Sequence, residues 1–551
     1  MKSKRFYLNG WTVISLVVLV YFIFFFIYPI TRILISSVWN SSTRSLDFSK
    51  FIEFFSNKFY TNTILNSLKV CIVVTILTTI FGSLLAYITR TISIKLKNIV
   101  NILLMISVVS PPFLGAYAWI ILLGRAGIIT KVINSLFGIT YGGIYGFKGI
   151  VLVFTIKLIP LIYLYVSGAL KNIDNSLLEA SQSLGCNKFK RIIQIVVPLI
   201  LPTILASSIL VFMRVLADFG TPMLIGEGYR TLPVLIYNSF ISDLNTDEPL
   251  AATISVVVIL ITTVIFLSQR WISNRKRIEM SALHPLEPKK AKGITNILAH
   301  AYVYIITALA ILPIIIVFIN SFMKSKGIVF AGEFTFNNYI QSFKTMGDSI
   351  INTLVYSLLA IAIVIVIGVV IAYTSVRRKS RLTSILDLIS MFPYIIPGAV
   401  LGIALLLAFN KKPLALSGTF IIIVMAYVIR RLPYTIRSSA AILKQIDLSV
   451  EEASMSLGAN RFKTFFSVTT PMMFSGVMSG AIMSWLSIIT ELSASILLYS
   501  YATKTLTISI YLKIQIGDYG QASALSSILM LTSIVTLLLF FKLSGRREID
   551  L

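Results

Sequence analysis

The sequence predicts an all-α polytopic membrane protein of two tandem six-helix transmembrane halves, about 12 spans in all, on three observations. Of the 551 residues, 57% are hydrophobic and 13% charged, with a mean hydropathy of +0.90; a soluble globule cannot hide that much apolar surface. Apolar runs of about 20 residues recur along the whole chain, each able to cross about 30 Å of hydrocarbon. A patterned polar segment occurs twice, 273 positions apart. A secreted, disordered or ordinary cytosolic protein is excluded.

The first run, Trp11 to about Val38, follows a basic start with Lys2, Lys4 and Arg5. It is too long for a cleaved signal core and reads as an uncleaved first span. Further spans are expected near Asn62–Thr89, Asn98–Leu123, Gly149–Val166, Leu199–Phe219 and Leu250–Leu267. A second set follows near Ile297–Phe322, Ile351–Val376, Leu382–Phe409, Gly418–Ile429, Met472–Leu498 and Ala522–Phe541. Residues 1–268 then form a first transmembrane domain, 269–296 a basic cytoplasmic linker with Pro285 and Pro288, and 297–551 a second transmembrane domain.

Charge sets the expected orientation. The 48 Lys and Arg against 21 Asp and Glu give +27, which in a soluble protein would suggest nucleic acid. Here the basic residues gather in short loops, as orientation signals and contacts to anionic lipid, and no nucleic acid is expected. With a cytoplasmic N-terminus, about 30 of the basic residues fall inside and about 14 outside. The inside clusters are Arg90, Lys95 and Lys97; Lys188, Lys190 and Arg191; Arg275, Lys276 and Arg277; Arg377, Arg378, Lys379 and Arg381; Arg546 and Arg547. Both termini are therefore expected in the cytoplasm. Cys71 and Cys186, with His284 and His300, are too few for a disulfide framework, a metal centre or a redox cofactor.

Ile173–Pro198 superposes on Ile446–Pro471 without a gap, and 13 of 26 positions are identical. At the same offset Pro160 matches Pro433 and Asp218 matches Glu491; with small indels, Asn62-Thr63 and Ala86-Tyr87 match Asn352-Thr353 and Ala372-Tyr373. An even number of spans per half puts both copies on one side, as parallel repeats flanking a central pathway, the architecture of a transporter. Within the first copy, Leu170, Ile173, Leu177, Ser181 and Leu184 predict one face of a short helix. Gly185 would end it, and Asn187 would cap a second helix running to Pro198. The second copy repeats this with Leu443, Ile446, Val450, Ser454 and Leu457, then Gly458, Asn460 and Pro471.

At these residues the chain resembles the permease subunits of bacterial ATP-binding-cassette importers, whose signature is Glu-Ala-Ala, three residues, Gly, nine residues, then Ile-x-Leu-Pro. Here it reads Glu179-Ala180-Ser181, Gly185 and Ile195-x-Val197-Pro198, and again Glu452-Ala453-Ser454, Gly458 and Val468-x-Thr470-Pro471. The resemblance implies the type I importer permease fold in both halves. It also implies that Glu179, Ala180, Gly185, Glu452, Ala453 and Gly458 form coupling helices seated in two copies of an ATPase subunit, with an extracytoplasmic solute-binding protein as the other partner. Ser176 to Glu179 and Ser449 to Glu452 also fit capping boxes, in which the carboxylates satisfy backbone donors. No Gly-x-x-x-x-Gly-Lys-Ser/Thr phosphate loop occurs, so the chain is not expected to be an enzyme.

Inside the spans, Lys69, Lys157, Arg214, Asp218 and Glu491 need water, partners or interfacial depth. Asp218 and Glu491, at matching positions, are possible pathway carboxylates that could favour a cation; alternatively each caps a helix end or pairs with an Arg such as Arg214. The sequences Ala217-Asp218-Phe219-Gly220-Thr221-Pro222 and Thr490-Glu491-Leu492-Ser493 are similar to those of the fused two-half permeases of ferric-iron importers, with thiamine, aminoalkylphosphonate and polyamine systems sharing that organisation. The resemblance points first to ferric iron in a bacterial inner membrane. A secondary transporter would have no need of two matched cytoplasmic helices, and a membrane enzyme would need convergent catalytic groups that the sequence does not display.

Overall fold

The computed structural model describes residues 10–40, 44–138, 140–241, 247–275, 284 and 286–544. Lys2, Lys4, Arg5, Lys276, Arg277, Pro285, Arg546 and Arg547, named above, lie outside the described residues. Among the described residues ten helices are long and apolar enough to cross a membrane, and a bent pair raises the number to eleven. Their outer faces carry large bare side chains such as Val17, Ile80, Val366 and Leu538, the surface expected toward lipid tails. Their inner faces bury many Ser and Thr, whose hydroxyls bond back one turn, as Ser67 does to the Thr63 carbonyl and Thr307 to that of Val303.

Two expected spans are broken. Asn98–Leu123 divides into Lys97–Val109 and Pro112–Leu123 at Ser110-Pro111. Its counterpart Leu382–Phe409 divides into Arg381–Tyr394 and Gly398–Phe409, and the pieces are bent by 112°. Proline supplies the reason: Pro111, Pro112, Pro393 and Pro397 donate no backbone N–H, and Ser110 and Pro111, each followed by a proline, are held extended. The expected span Gly418–Ile429 is also revised, because the helix runs Phe420–Gln445 and carries Arg430 and Arg431 in its middle. Each half further has, after its first span, a small antiparallel hairpin that hydropathy had hidden: Trp39–Asn40 with Ser45–Leu46, and Met323–Lys326 with Val329–Phe334.

The internal repeat extends further than the loops, and one correspondence changes. Leu232 N–H donates to Ser67 Oγ at 2.8 Å, and Leu506 N–H donates to Thr353 Oγ1 at 2.6 Å. Beside them, Asn66 reaches the Arg230 carbonyl and Asn352 those of Ala502 and Lys504. Asn352-Thr353 therefore corresponds to Asn66-Ser67, not Asn62-Thr63, and the shift that matches Ala86-Tyr87 with Ala372-Tyr373 needs no indel to reach it.

The halves interlock through their first spans, each of which packs both on the last span of its own half and on the other half. Tyr28–Val38 packs on Gly398–Phe409 of the second half, while Gly293–Ser321 packs on Lys97–Val109 and Pro112–Leu123 of the first. Tyr302 Oη and Tyr304 Oη donate to the Phe81 and Lys95 carbonyls across that seam, both at 2.8 Å.

Candidate functional site: two exposed helical loops and a charged cavity

Each repeated loop is a helix, a tight turn and a second helix. The first helices are Asn175–Ser183 and Leu448–Ser456. Their caps are Asp174, whose Oδ1 accepts from Ser176 N–H, and Asp447, whose Oδ1 accepts from Ser449 N–H, each at 2.9 Å. The expected capping boxes are thus corrected: Ser176 and Ser449 lie inside the first turn, so Glu179 and Glu452 do not reach back to a cap. Glu179 accepts from Asn175 Nδ2 at 2.6 Å and remains exposed, as does Glu452. The bonds from Ser449, with the nearby Arg377 charge, hold the Asp447 carboxyl below the usual carboxylate range.

The turns follow the sequence reading. Gly185 and Gly458 have φ of +81° and +90°, the left-handed region in which only glycine is unstrained. Cys186 N–H bonds the Ser181 carbonyl and Gly185 N–H that of Gln182, with the same pair repeated by Ala459 and Gly458. This arrangement satisfies the last carbonyls of each helix. Asn187 and Asn460 then cap the second helices, each accepting from a backbone N–H three residues on at 2.8 Å.

The predicted apolar face is not continuous. The preceding helix ends at Lys171, so the buried Leu170 and Ile173 belong to its end and the connecting turn, whereas Leu184 is 86% exposed. In the second loop Leu443 is buried and Leu457 is 90% exposed. Each loop thus presents a Glu, an Ala and a bare Leu to the outside, on a base that is packed. The bases differ. Glu451 is buried and paired with Arg377 Nε at 3.0 Å, with Tyr373 Oη also in contact, but its counterpart in the first loop is Leu178.

Asp218 and Glu491 lie just past the ends of the fifth spans, Phe189–Ala217 and Arg461–Ile489, and both line one cavity of about 250 Å³ between the halves. The repeat offset accounts for much of its wall: Lys157 and Arg430, Leu210 and Met483, Arg214 and Ser487, Ala217 and Thr490 are matching pairs. Lys157 Nζ donates to the Ser107 and Ser110 carbonyls, where the broken third span ends and its dipole favours a cation. Asp218 Oδ1 accepts from Thr221 N–H at 2.8 Å; among the described residues no ion pair joins it to Arg214. Glu491 is paired with Arg430 and Arg431 and accepts from Ala494 N–H at 3.2 Å. Lys69, by contrast, is exposed on the outer side of its helix.

Arg430 and Arg431 are the site residues that the sequence reading missed, because two adjacent arginines look like the edge of a span. The signal was available: Lys157 was already identified as an intramembrane cation, and the offset of 273 carries it onto Arg430. Gly398 makes room for them, since a Cβ there would lie 2.6 Å from Arg430 Nη1 and 2.7 Å from Ser493 Cβ.

Broken helices that line a cavity between two repeats are the architecture of a membrane translocation subunit. Residues 78–278 and 364–547 both match the family of binding-protein-dependent transport system inner membrane components, and the chain belongs to that family. It is a multi-pass inner-membrane permease component. It is 29% identical to a ferric transport system permease protein, FbpB, of Actinobacillus pleuropneumoniae, covering 100% of this chain and 80% of that protein. It is 30% identical to a putative ferric transport system permease protein, FbpB 1, of Haemophilus influenzae, covering 89% and 78%. A crystal structure of a bacterial alginate ABC transporter with its pentasaccharide-bound periplasmic protein aligns with 48% of this chain and 93% of that one, at 16% identity and a TM-score of 0.41.

Proposed function

We propose that this chain is the translocation subunit of an ATP-driven importer that takes up ferric iron. The two repeated loops face the cytoplasm, as do both termini, and each seats in one copy of a separate ATPase subunit. An extracytoplasmic solute-binding protein delivers the cargo to the opposite face. The observation that carries this reading is the repeated loop itself: the same exposed helix, left-handed glycine and capped second helix, built twice, with Glu179 and Leu184 matched by Glu452 and Leu457. Glu179 and Glu452 meet basic groups of the ATPase, and the bare leucines fill apolar hollows beside them. The second helix of each loop, continuous with the fifth span, carries the closure of the ATPase pair from the seated helix toward the cavity. The named relatives support iron as the cargo.

Replacing Gly185 and Gly458 together by Ala tests the coupling role. An added Cβ meets nothing within 4 Å at either site, so only the backbone is strained, by about 1–2 kcal/mol each. Uptake of radioactive iron in cells should fall at least tenfold, with the variant present in the membrane at wild-type abundance. Unchanged uptake rejects the reading.

A further inference from the structure

The cavity between the halves holds more positive than negative side chains. Lys157, Arg214, Arg430 and Arg431 face Asp218 and Glu491, so four cations against two carboxylates leave a formal charge of +2. Neither carboxylate is free. Glu491 is engaged by two guanidiniums and a backbone N–H, and Asp218 by the Thr221 N–H. A bare metal ion entering here would meet net repulsion and no open pair of oxygens. The donors, in contrast, have capacity to spare. Arg430 Nη1, beyond its ion pair, makes no hydrogen bond, and Arg214 is exposed on the cavity wall. Guanidinium groups present several N–H donors in a plane that suits anionic oxygens.

We infer that the cavity receives its cargo as an anion: an oxyanion group, either free or ligating a metal ion. The inference rests on the proposed transport role only in naming the ligand a cargo. If that cargo is ferric iron, the metal crosses the cavity inside an oxygen-ligated complex of net negative charge, and Arg214 and Arg430 select it over a bare cation. Glu491 then serves to position Arg430 and Arg431, and Asp218 to cap the helix that begins at Gly220.

The test is equilibrium dialysis of the full chain in lipid nanodiscs, without any ATPase, against four probes: orthophosphate, citrate, ferric citrate and hexaamminecobalt(III), an inert trication with the charge of ferric iron. The oxygen anions should bind and hexaamminecobalt(III) should not. Arg214→Gln should weaken anion binding at least tenfold, and Arg214→Lys should restore most of it. Binding of phosphate and citrate would identify the free oxyanion as the ligand, and binding of ferric citrate alone the metal complex. Binding of hexaamminecobalt(III) to the wild type, the absence of binding by all three anions, or an Arg214→Gln variant that binds them normally would overturn the inference. Because no ATPase is present, these outcomes are independent of the coupling test on Gly185 and Gly458.

Discussion

Glu451 shows how a single residue makes two repeated loops unequal. It sits one position before the Glu-Ala-Ser motif, with its side chain 3% exposed against an Arg377 side chain that is 11% exposed. Arg377 also donates to the Ile446 carbonyl at 2.6 Å, so the pair ties the start of the second loop to the end of the second span of its half. Removing one member of such a pair strands the other in a poorly solvated place. Glu451→Ala is expected to destabilise the protein by about 3–5 kcal/mol, read as a lower midpoint of thermal unfolding in detergent. Leu178→Ala, at the matching position of the first loop, removes only packing from a partly exposed side chain and should cost less than half as much. Equal losses at the two sites would contradict the assigned asymmetry.

At the scale of the element, proline sets helix form in a recurrent way. Among the described residues three helices widen into a π turn that ends two residues before a proline: Ile23–Ile27 before Pro29, Ile192–Val196 before Pro198 and Phe465–Thr469 before Pro471. Widening to five-residue spacing moves a carbonyl away from a ring that offers no donor. This is how the second helix of each loop continues into the fifth span without a break. Packing between elements depends on small residues. On the fifth span of the second half, a Cβ at Gly476 would lie 2.4 Å from Ile442 Cγ2, and one at Gly480 would lie 2.7 Å from Thr435 Cα. Gly476 and Gly480 form a small-xxx-small stripe that lets this helix approach Phe420–Gln445, the helix bearing Arg430. Gly480→Ala should therefore cost about 1–3 kcal/mol of stability by forcing the helices apart, checked by thermal unfolding of the purified variant.

Across the whole molecule, the two halves are not independent units joined by a linker. Trp11, at the start of the first span, stacks on Phe462 with ring centres 4.9 Å apart and packs against Phe465 and Tyr373, all from the second half. Gly10 is pressed so close to Phe462 that a Cβ would meet its ring at 2.6 Å. The first chain segment thus buttresses the second repeated loop. Trp11→Ala should cost about 3–5 kcal/mol and should speed amide hydrogen exchange in the helix Arg461–Thr464 more than in the corresponding helix of the first loop. Equal acceleration in both loops would contradict this arrangement. The linker has the complementary role: His284 N–H donates to Asp174 Oδ2 at 3.2 Å and its carbonyl accepts from Asn175 N–H at 2.8 Å, fixing the start of the first loop.

The sequence alone determined the membrane class, the duplication, the left-handed glycines and the Asn187 and Asn460 caps, because hydropathy, internal repetition and backbone preference are local properties. It also picked out Asp218 and Glu491, because ionisable groups stand out against apolar runs. Only tertiary structure decided what those carboxylates touch. Arg430 and Arg431 reach Glu491 across some sixty residues of chain, and the helix that carries them holds two charges that a hydropathy reading places at its edge. The packing of each first span on the other half shares that origin. The broken third spans and the Asp caps do not: they rest on prolines and on an Asp two residues before the N–H it binds, local signals that the span and capping-box readings passed over. The long-range contacts are settled by which partner lies close enough in space to satisfy a charge or an apolar face, and spacing along the chain does not encode that distance.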